Sequence, residues 1–201
     1  MTKGALLVAA GMSSRMKAFK PLLELGDSTI IGTAILSLQE AGIREIVVIT
    51  GHHAKSLENY LAVMGVTCLY NDRYETSDMF HSAKIGLTYL KDRCGRIFFL
   101  PGDVPLFSRL SLQLMLDQME QSSCDILLPA YGGEVGHPIL LTCSAIPPLT
   151  AYAGAGGLKG AIDRFAGSKE IIELDDMGIT LDADRPEDYE RLKEYAGRRS
   201  G

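Results

Sequence analysis

The sequence predicts an α/β fold built on a mainly parallel β-sheet. Two observations carry that prediction. Short apolar runs at 5–10, 45–49 and 97–100 lack polar alternation and read as buried strands, the one at 45–49 β-branched as in a parallel sheet covered on both faces. Amphipathic stretches at helical spacing separate them, and the strand-then-helix alternation repeats at least four times.

The elements follow in order. Residues 5–10 form the first strand and open onto a loop at 11–20. Apolar residues at Ile30, Ile31, Ala34, Ile35, Leu38 and Ala41 mark one face of a helix, which Gly42 ends. A strand at 45–49, a helix at 54–64 and a short strand at 67–70 come next, before helical spacing returns at 79–90. The strand at 97–100 is stopped by Pro101-Gly102, and Leu112, Met115, Leu116 and Met119 mark another helix. Strands are expected at 125–129 and 137–142, joined by a Gly-rich turn. Residues 154–160 read as a flexible loop, 171–174 and 179–181 as weak strands, 186–196 as a closing helix and 197–201 as a frayed tail. The late strands have no long helices between them, so an antiparallel edge is expected there. No repeat or linker divides the chain, and 1–201 is expected to be a single domain.

The chain has 201 residues, 46% hydrophobic, with a formal net charge of −5. A non-specific nucleic-acid binder would carry a basic excess, so no nucleic-acid partner is expected. No apolar run has the length of a membrane span or the flanks of a secretory signal; the expected location is cytoplasmic, with no membrane partner. Cys68, Cys94, Cys124 and Cys143 are scattered without a Cys-x-x-Cys pair, the pattern of a reducing compartment rather than a structural zinc site.

The chemistry concentrates after the first strand. In open α/β sheets, ligands bind beyond the carboxyl ends of the strands. There Gly11 offers backbone N–H groups, Ser13 and Ser14 offer hydroxyls, and Arg15, Lys17 and Lys20 offer positive charge. The loop is neither a P-loop, since Met16 stands where its second glycine belongs, nor a dinucleotide fingerprint, since it has one glycine. On residue chemistry it is a candidate polyphosphate cradle. A second candidate is Asp103, just past the strand at 97–100, where a carboxylate is placed to bind magnesium; an Asp in a Pro-Gly-Asp turn also serves local hydrogen bonding.

The run Leu7-Val-Ala-Ala-Gly-Met-Ser-Ser-Arg-Met, followed by Lys20-Pro-Leu-Leu23, resembles the signature Leu-x-Ala-Gly-x-Ser-x-Arg-Met-Gly-x-x-Lys of the nucleotidyltransferases. Within them it is similar to the molybdopterin-type, MobA-like branch, and above all to the molybdenum cofactor cytidylyltransferases. Lys17 departs from that signature, which usually has Gly there. The resemblance implies a three-layer α/β/α Rossmann-like fold of the nucleotide-diphospho-sugar transferase type. It implies that Gly11, Ser13 and Arg15 hold the β- and γ-phosphates, that Lys20 neutralises the α-phosphate region, and that Ala9, Ala10, Ser14 and Gly102 lie on the nucleotide side.

Gly102-Asp-x-Pro105 falls on the family's metal site, with Asp103 as ligand, and Asp182-Ala-Asp-Arg-Pro-Glu-Asp188 matches its C-terminal acidic pattern. One of Asp182 and Asp184 would complete the Mg2+ site, and the sequence does not choose between them. Asp184 also reads as a helix N-cap with Glu187 at the third position. Gly136-His-Pro138 resembles the branch's acceptor-side motif, which makes His137 an acceptor contact. Met79-x-x-Ser82 makes Ser82 a nucleotide contact, while Met79 reads equally as core. Gly157-Leu-Lys-Gly-Ala161 only partly matches the family's Gly-Asp-x-Gly-Ala-Arg, which leaves the acceptor open. His52, His53 and His81 show no metal-ligand spacing.

The implied reaction is attack by an acceptor phosphate oxygen on the α-phosphorus of an NTP, catalysed by Arg15, Lys20 and Asp103 through positioning and charge neutralisation. Ala9-Ala-Gly11 favours CTP. The implied acceptor is molybdopterin, with a molybdenum hydroxylase receiving the finished cofactor. A sugar- or polyol-phosphate acceptor and a non-catalytic nucleotide-binding regulatory module are the alternatives.

Overall fold

The computed structural model describes residues 2–11 and 18–199. Within them, β1 (Lys3–Val8) leads to a small hairpin, β2 (Glu24–Leu25) and β3 (Ser28–Thr29), and to α1 (Ile30–Glu40). There follow β4 (Glu45–Thr50), α2 (Ala54–Leu61), β5 (Thr67–Tyr70), α3 (Met79–Leu90), β6 (Arg96–Pro101) and α4 (Arg109–Ser122). The second half comprises β7 (Ile126–Tyr131), β8 (Glu134–Val135), β9 (Ile139–Thr142), α5 (Ile146–Ala151), α6 (Gly157–Asp163), β10 (Lys169–Glu173) and α7 (Pro186–Arg199).

The main sheet runs β10-β7-β9-β6-β1-β4-β5, with β8 paired to β7. β1 lies between β4 and β6 and is parallel to both. The chain therefore builds outward from β1 in one direction, then crosses back to its other side. This reversal is the topological switch point, where open α/β sheets bind ligands.

Alternation along β1 generates the layers. Ala5, Leu7 and Ala9 face a core shared with Ile31, Ile35 and Leu38 of α1, Leu57 of α2 and Leu112, Met115 and Met119 of α4. Leu6, Val8 and Ala10 face the other core, with Phe80, Ala83 and Leu87 of α3, Ile146 of α5 and Ala161 of α6. Buried on both faces, the strand has no use for polar alternation, which is why its sequence is a continuous apolar run. The three-layer α/β/α architecture is thus the one expected. Side chains cap three of the helices: Thr29 accepts from Gly32 N–H, Asp78 from His81 N–H and Ser108 from Ser111 N–H.

The later chain departs from expectation. The longer antiparallel strand, β9, lies inside the sheet between β6 and β7, while the two-residue β8 runs antiparallel on β7 off the main strand order. The stretch read as a loop at 154–160 contains the start of α6. Positive φ at Gly156 and Gly157 turns the chain into the helix, and Leu158, Ala161 and Ile162 then bury one face of it. Residues 179–181 do not form a strand; Met177–Thr180 is a 3-10 turn, because the Asp176 side chain accepts from Gly178 N–H. α2 ends at Leu61, short of 64, and α7 continues to Arg199, through residues expected to fray. The short pieces β2, β3, β8 and α5 carry too few residues to show a periodicity. Among the described residues, no helix is long and apolar enough to cross a membrane.

Candidate active site

The ends of β1, β4 and β6 are laced together where the cradle begins. Ala9 N–H donates to the Ile49 carbonyl at 2.9 Å, Gly102 N–H to Val8 at 2.9 Å and His52 N–H to Ala10 at 3.1 Å. The backbone of residues 9–11 is thereby fixed at the switch point. Gly102 is needed for that close approach, since a Cβ there would sit 3.0 Å from Ala9 Cβ and 3.1 Å from the Val8 carbonyl. Gly51 is tighter still: a Cβ would sit 2.7 Å from the Ala10 carbonyl and 2.6 Å from Tyr74 Cβ. Gly51→Ala is therefore expected to cost about 1–3 kcal/mol and to weaken nucleotide binding by displacing Ala10. Urea unfolding and a nucleotide titration check both parts; unchanged values would show that the corner yields without cost.

A cleft opens over these ends. Val8, Ala9, Ala10, Gly11, Lys20, Ser82, Gly102 and Asp103 line it, together with Tyr74, Ser77, Asp78 and Met79. Six of the expected nucleotide-side residues, Ala9, Ala10, Gly11, Lys20, Ser82 and Gly102, therefore share one cavity with Asp103. Ser13, Ser14 and Arg15 lie outside the described residues, as does Lys17. Met79 is no core residue: it is 50% exposed at the cleft. The His52–His53 corner packs on Phe19, whose ring centroid lies 5.2 Å from that of His53, and this anchors the chain just before Lys20.

Lys20 starts a 3-10 turn (Lys20–Leu22) held open by Pro21 and is nearly buried. Its Nζ donates to Asp184 Oδ1 at 2.7 Å and to Asp103 Oδ2 at 3.2 Å. Burial alone would lower the Lys20 pKa, but the hydrogen bond to Asp184 and the charges of both carboxylates raise it above its ordinary value. Burial holds the Asp103 carboxyl above the usual range, an effect Lys20 offsets only in part. Asp182 is also pushed up, first by desolvation and then by the charges of Asp103 and Asp184, although much of its surface is exposed.

The two C-terminal carboxylates now separate in role. Asp184 joins Asp103 on one ammonium, while Asp182 Oδ1 accepts from Asp184 N–H at 3.4 Å and supports the turn. Asp184 is not the cap of α7. The helix starts at Pro186, so Arg185 is the capping position, and its N–H donates to Asp188 Oδ2 at 3.0 Å. The shift of one residue is what leaves the Asp184 side chain facing Lys20.

The segment carrying these carboxylates is docked by Asp176, which is buried and accepts from Ser108 N–H at 2.7 Å, Ser111 Oγ at 2.6 Å and Gly178 N–H at 3.1 Å. Ala183 N–H then donates to the Asp103 carbonyl at 3.2 Å. Sequence reading missed Asp176, which is one of several acids in a polar stretch with no local spacing to mark it. It also missed Asn71, although an Asn at the carboxyl end of β5 stands where the same rule singled out Asp103.

Among the described residues, no group of three or more His, Cys, Asp or Glu side chains is arranged to hold a metal. The donor chemistry of Asp103 and Asp184 nonetheless fits a hard divalent cation. Both carboxylates already converge on one cationic atom, and Mg2+ typically takes one or two protein carboxylates and completes its shell with phosphate and water.

His137 stands apart. β9 runs antiparallel to β6, so its leading end comes to the carboxyl edge of the sheet, and His137 lies two residues before the Phe99–Ile139 pair. There the imidazole turns inward against Phe99, with 6.2 Å between centroids, and Nδ1 is buried without a hydrogen-bond partner. It does not line the cleft. Burial lowers its pKa from 6.5 to about 4. Between those values the unfolded chain binds the proton and the folded one does not, so stability falls as pH drops through that window. Asp103 and Asp182, raised rather than lowered, act with the opposite sign. Between pH 7 and pH 5 the His137 contribution amounts to about 2 kcal/mol. Urea midpoints for the wild type and His137→Gln should show a flatter pH dependence in the variant; equal slopes would remove His137 as the cause.

The chain is 26% identical to the molybdenum cofactor cytidylyltransferase of Escherichia coli (strain K12) over 191 residues, 94% of each protein. It is 28% identical over 172 residues to the bifunctional protein GlmU of Staphylococcus epidermidis, of whose length it spans only 35%. The fold is shared with Rv0371c of Mycobacterium tuberculosis H37Rv, at a TM-score of 0.82 and 23% identity over 96% of this chain and 98% of that one, a protein also solved as a manganese complex. Residues 5–170 match the MobA-like NTP transferase domain. With a cleft at the switch point of its sheet, the chain belongs to the MobA-like NTP transferase family and is a nucleotidyltransferase.

Proposed function

We propose that the protein transfers CMP from CTP to the phosphate of a small acceptor of the molybdopterin kind and releases pyrophosphate. The observation that carries this reading is the Lys20 ammonium, held by Asp103 and Asp184 in a cleft at the carboxyl ends of β1 and β6. The similarity to the Escherichia coli molybdenum cofactor cytidylyltransferase supports both the base and the acceptor.

In this reading an acceptor phosphate oxygen forms a bond to the α-phosphorus, and the bond from that phosphorus to the bridging oxygen of the leaving pyrophosphate breaks. The acceptor oxygen is already anionic, so no protein nucleophile or base is needed. The residue 9–11 backbone and Ser82 position the nucleotide. Lys20 and Arg15 neutralise charge on the transferring group and the pyrophosphate. Asp103 and Asp184 would hold Mg2+, which when bound supplies charge neutralisation at the phosphates. Asp182 shapes the turn that presents Asp184. His137 serves the acceptor side only from behind in this reading, packed against Phe99 rather than lining the cleft. A molybdenum hydroxylase is the expected recipient of the finished cofactor, and 1–201 acts as a single domain.

The test is thermal unfolding with ATP, GTP, CTP or UTP, with and without magnesium, beside Asp103→Ala. A ligand at about 100 times its Kd adds roughly 2.7 kcal/mol, a shift of several degrees. A magnesium-dependent shift with CTP that disappears in Asp103→Ala is expected. Pyrophosphate release is then compared for molybdopterin and for sugar 1-phosphates. Release with a sugar phosphate alone would move the acceptor class, and no shift with any nucleotide would remove the reading.

A further inference from the structure

Besides the cores on the two faces of the sheet, a third and smaller core joins the segments that carry the charged groups of the site. Leu25 and Ile30 follow the Lys20 turn, Leu106 follows Asp103, Leu181 and Ala183 precede Asp184, and Leu192 comes from α7. All six are buried.

Tyr189, on the first turn of α7, packs against this core and is bonded to both ends of the Lys20–Asp184 pair. Its backbone N–H donates to the carbonyl of Arg185, the residue after Asp184, at 3.1 Å. Its hydroxyl donates to the Glu24 carbonyl of β2 at 2.6 Å. Glu24 lies just past the Lys20–Leu22 turn, which Leu23 N–H closes on the Lys20 carbonyl at 3.0 Å. Ile30 N–H donates to the Leu23 carbonyl at 2.9 Å and ties the far end of the hairpin to the same place. One side chain thus connects two segments whose charged residues lie 164 positions apart. The aromatic ring would fill the core equally well as phenylalanine. The hydroxyl adds a short directional bond, which fixes distance where apolar packing alone permits sliding.

We propose that Tyr189 is a positioning residue for the transfer: its bond to Glu24 sets α7 against the β2–β3 hairpin and thereby aligns the Lys20 ammonium with Asp184. The proposal rests on the function proposed above for its kinetic readout, and adds the residue that holds two of its charged groups in register. Tyr189 does not line the cleft. Ala9 and Ala10, on the nucleotide side, belong to the other two cores. Loss of the hydroxyl should therefore disturb turnover and leave nucleotide binding alone.

The experiment uses four full-chain proteins: the wild type, Tyr189→Phe, Lys20→Ala and the double variant. Tyr189→Phe keeps the ring in the core and should fold. Pyrophosphate release is followed in magnesium buffer with CTP varied at saturating acceptor. Tyr189→Phe should lower kcat by about 10-fold, the scale of a small misplacement of a catalytic group, with KM for CTP unchanged. In the Lys20→Ala background the same change should leave kcat nearly unaltered, because the group it aligns is gone. Urea unfolding of the same four proteins, without metal or nucleotide, gives a readout that needs no turnover. The midpoint shifts of the two single changes should not add, since both bonds brace one junction. An unchanged kcat in Tyr189→Phe, an equal fall in both backgrounds, or additive urea shifts would each overturn the proposal. No pyrophosphate release by the wild type with any acceptor would remove the proposed function, and the urea cycle would then decide on Tyr189 by itself.

Discussion

Lys20→Ala is expected to lower kcat for nucleotidyl transfer by about a thousandfold, the scale of removing one preorganised charge from the reacting group. Two properties of the side chain produce the effect. Its ammonium is nearly buried, where a charge is weakly screened and worth more than at the surface. It also draws Asp103 and Asp184 to a single point, at 3.2 and 2.7 Å. Without it, the desolvated Asp103 carboxylate faces Asp184 without that neutralising charge, so the variant should also unfold earlier in magnesium-free buffer. Added magnesium should recover more stability in the variant than in the wild type. Lys20→Arg is not a conservative change here, because a planar fork does not replace one compact charge between two carboxylates. The assay is pyrophosphate release at saturating CTP and acceptor. Near-normal kcat in Lys20→Ala would defeat the assignment of Lys20 to the transferring phosphate.

Asp176→Ala should produce the largest loss of stability, about 3 kcal/mol or more, and a fall in Tm of roughly 6–12 °C. Three donors lose their acceptor at once: Ser108 N–H, Ser111 Oγ–H and Gly178 N–H. Two of these lie at the start of α4 and the third in the turn that leads to Asp182 and Asp184. The damage should therefore reach activity as well, because the C-terminal carboxylates lose their support. Asp176→Asn, which retains one acceptor oxygen, should fall between the variant and the wild type. A Tm within 1 °C of the wild type in Asp176→Ala would falsify the docking role.

The first half of the chain was legible because each element there makes its own signal. β1, β4 and β6 are buried on both faces and read as apolar runs, and α1, α3 and α4 each turn an apolar stripe to the sheet. Asp103 was legible for a related reason, since a carboxylate directly after a central strand has few places to go. The second half depends on partners distant in sequence. Residues 177–180 are shaped by an aspartate bonded to α4, so their apolar pattern misled. The glycines at 156 and 157 suggested a loop, yet they are the turn that admits α6. Asp184 matched both a cap and a ligand, and only the start of α7 at Pro186 separates the two. Asn71 was missed because an amide bonded to two serine hydroxyls, those of Ser77 and Ser82, has no spacing rule of its own.

The interior antiparallel strand has a consequence for the newborn chain. Lys20 meets Asp103 across 83 residues and Asp184 across 164. At translation rates of roughly 5–20 residues per second, the sheet β5-β4-β1-β6 leaves the ribosome several seconds before Asp184 does. During that interval β6 has no neighbour on its far side, and the Ile97-Phe-Phe-Leu100 backbone stands as an apolar open edge until β9 arrives to cover it. The half-made protein is thus most exposed to sticking to its neighbours at the very strand that presents Asp103, and the last carboxylate of the site reaches it only after that danger has passed.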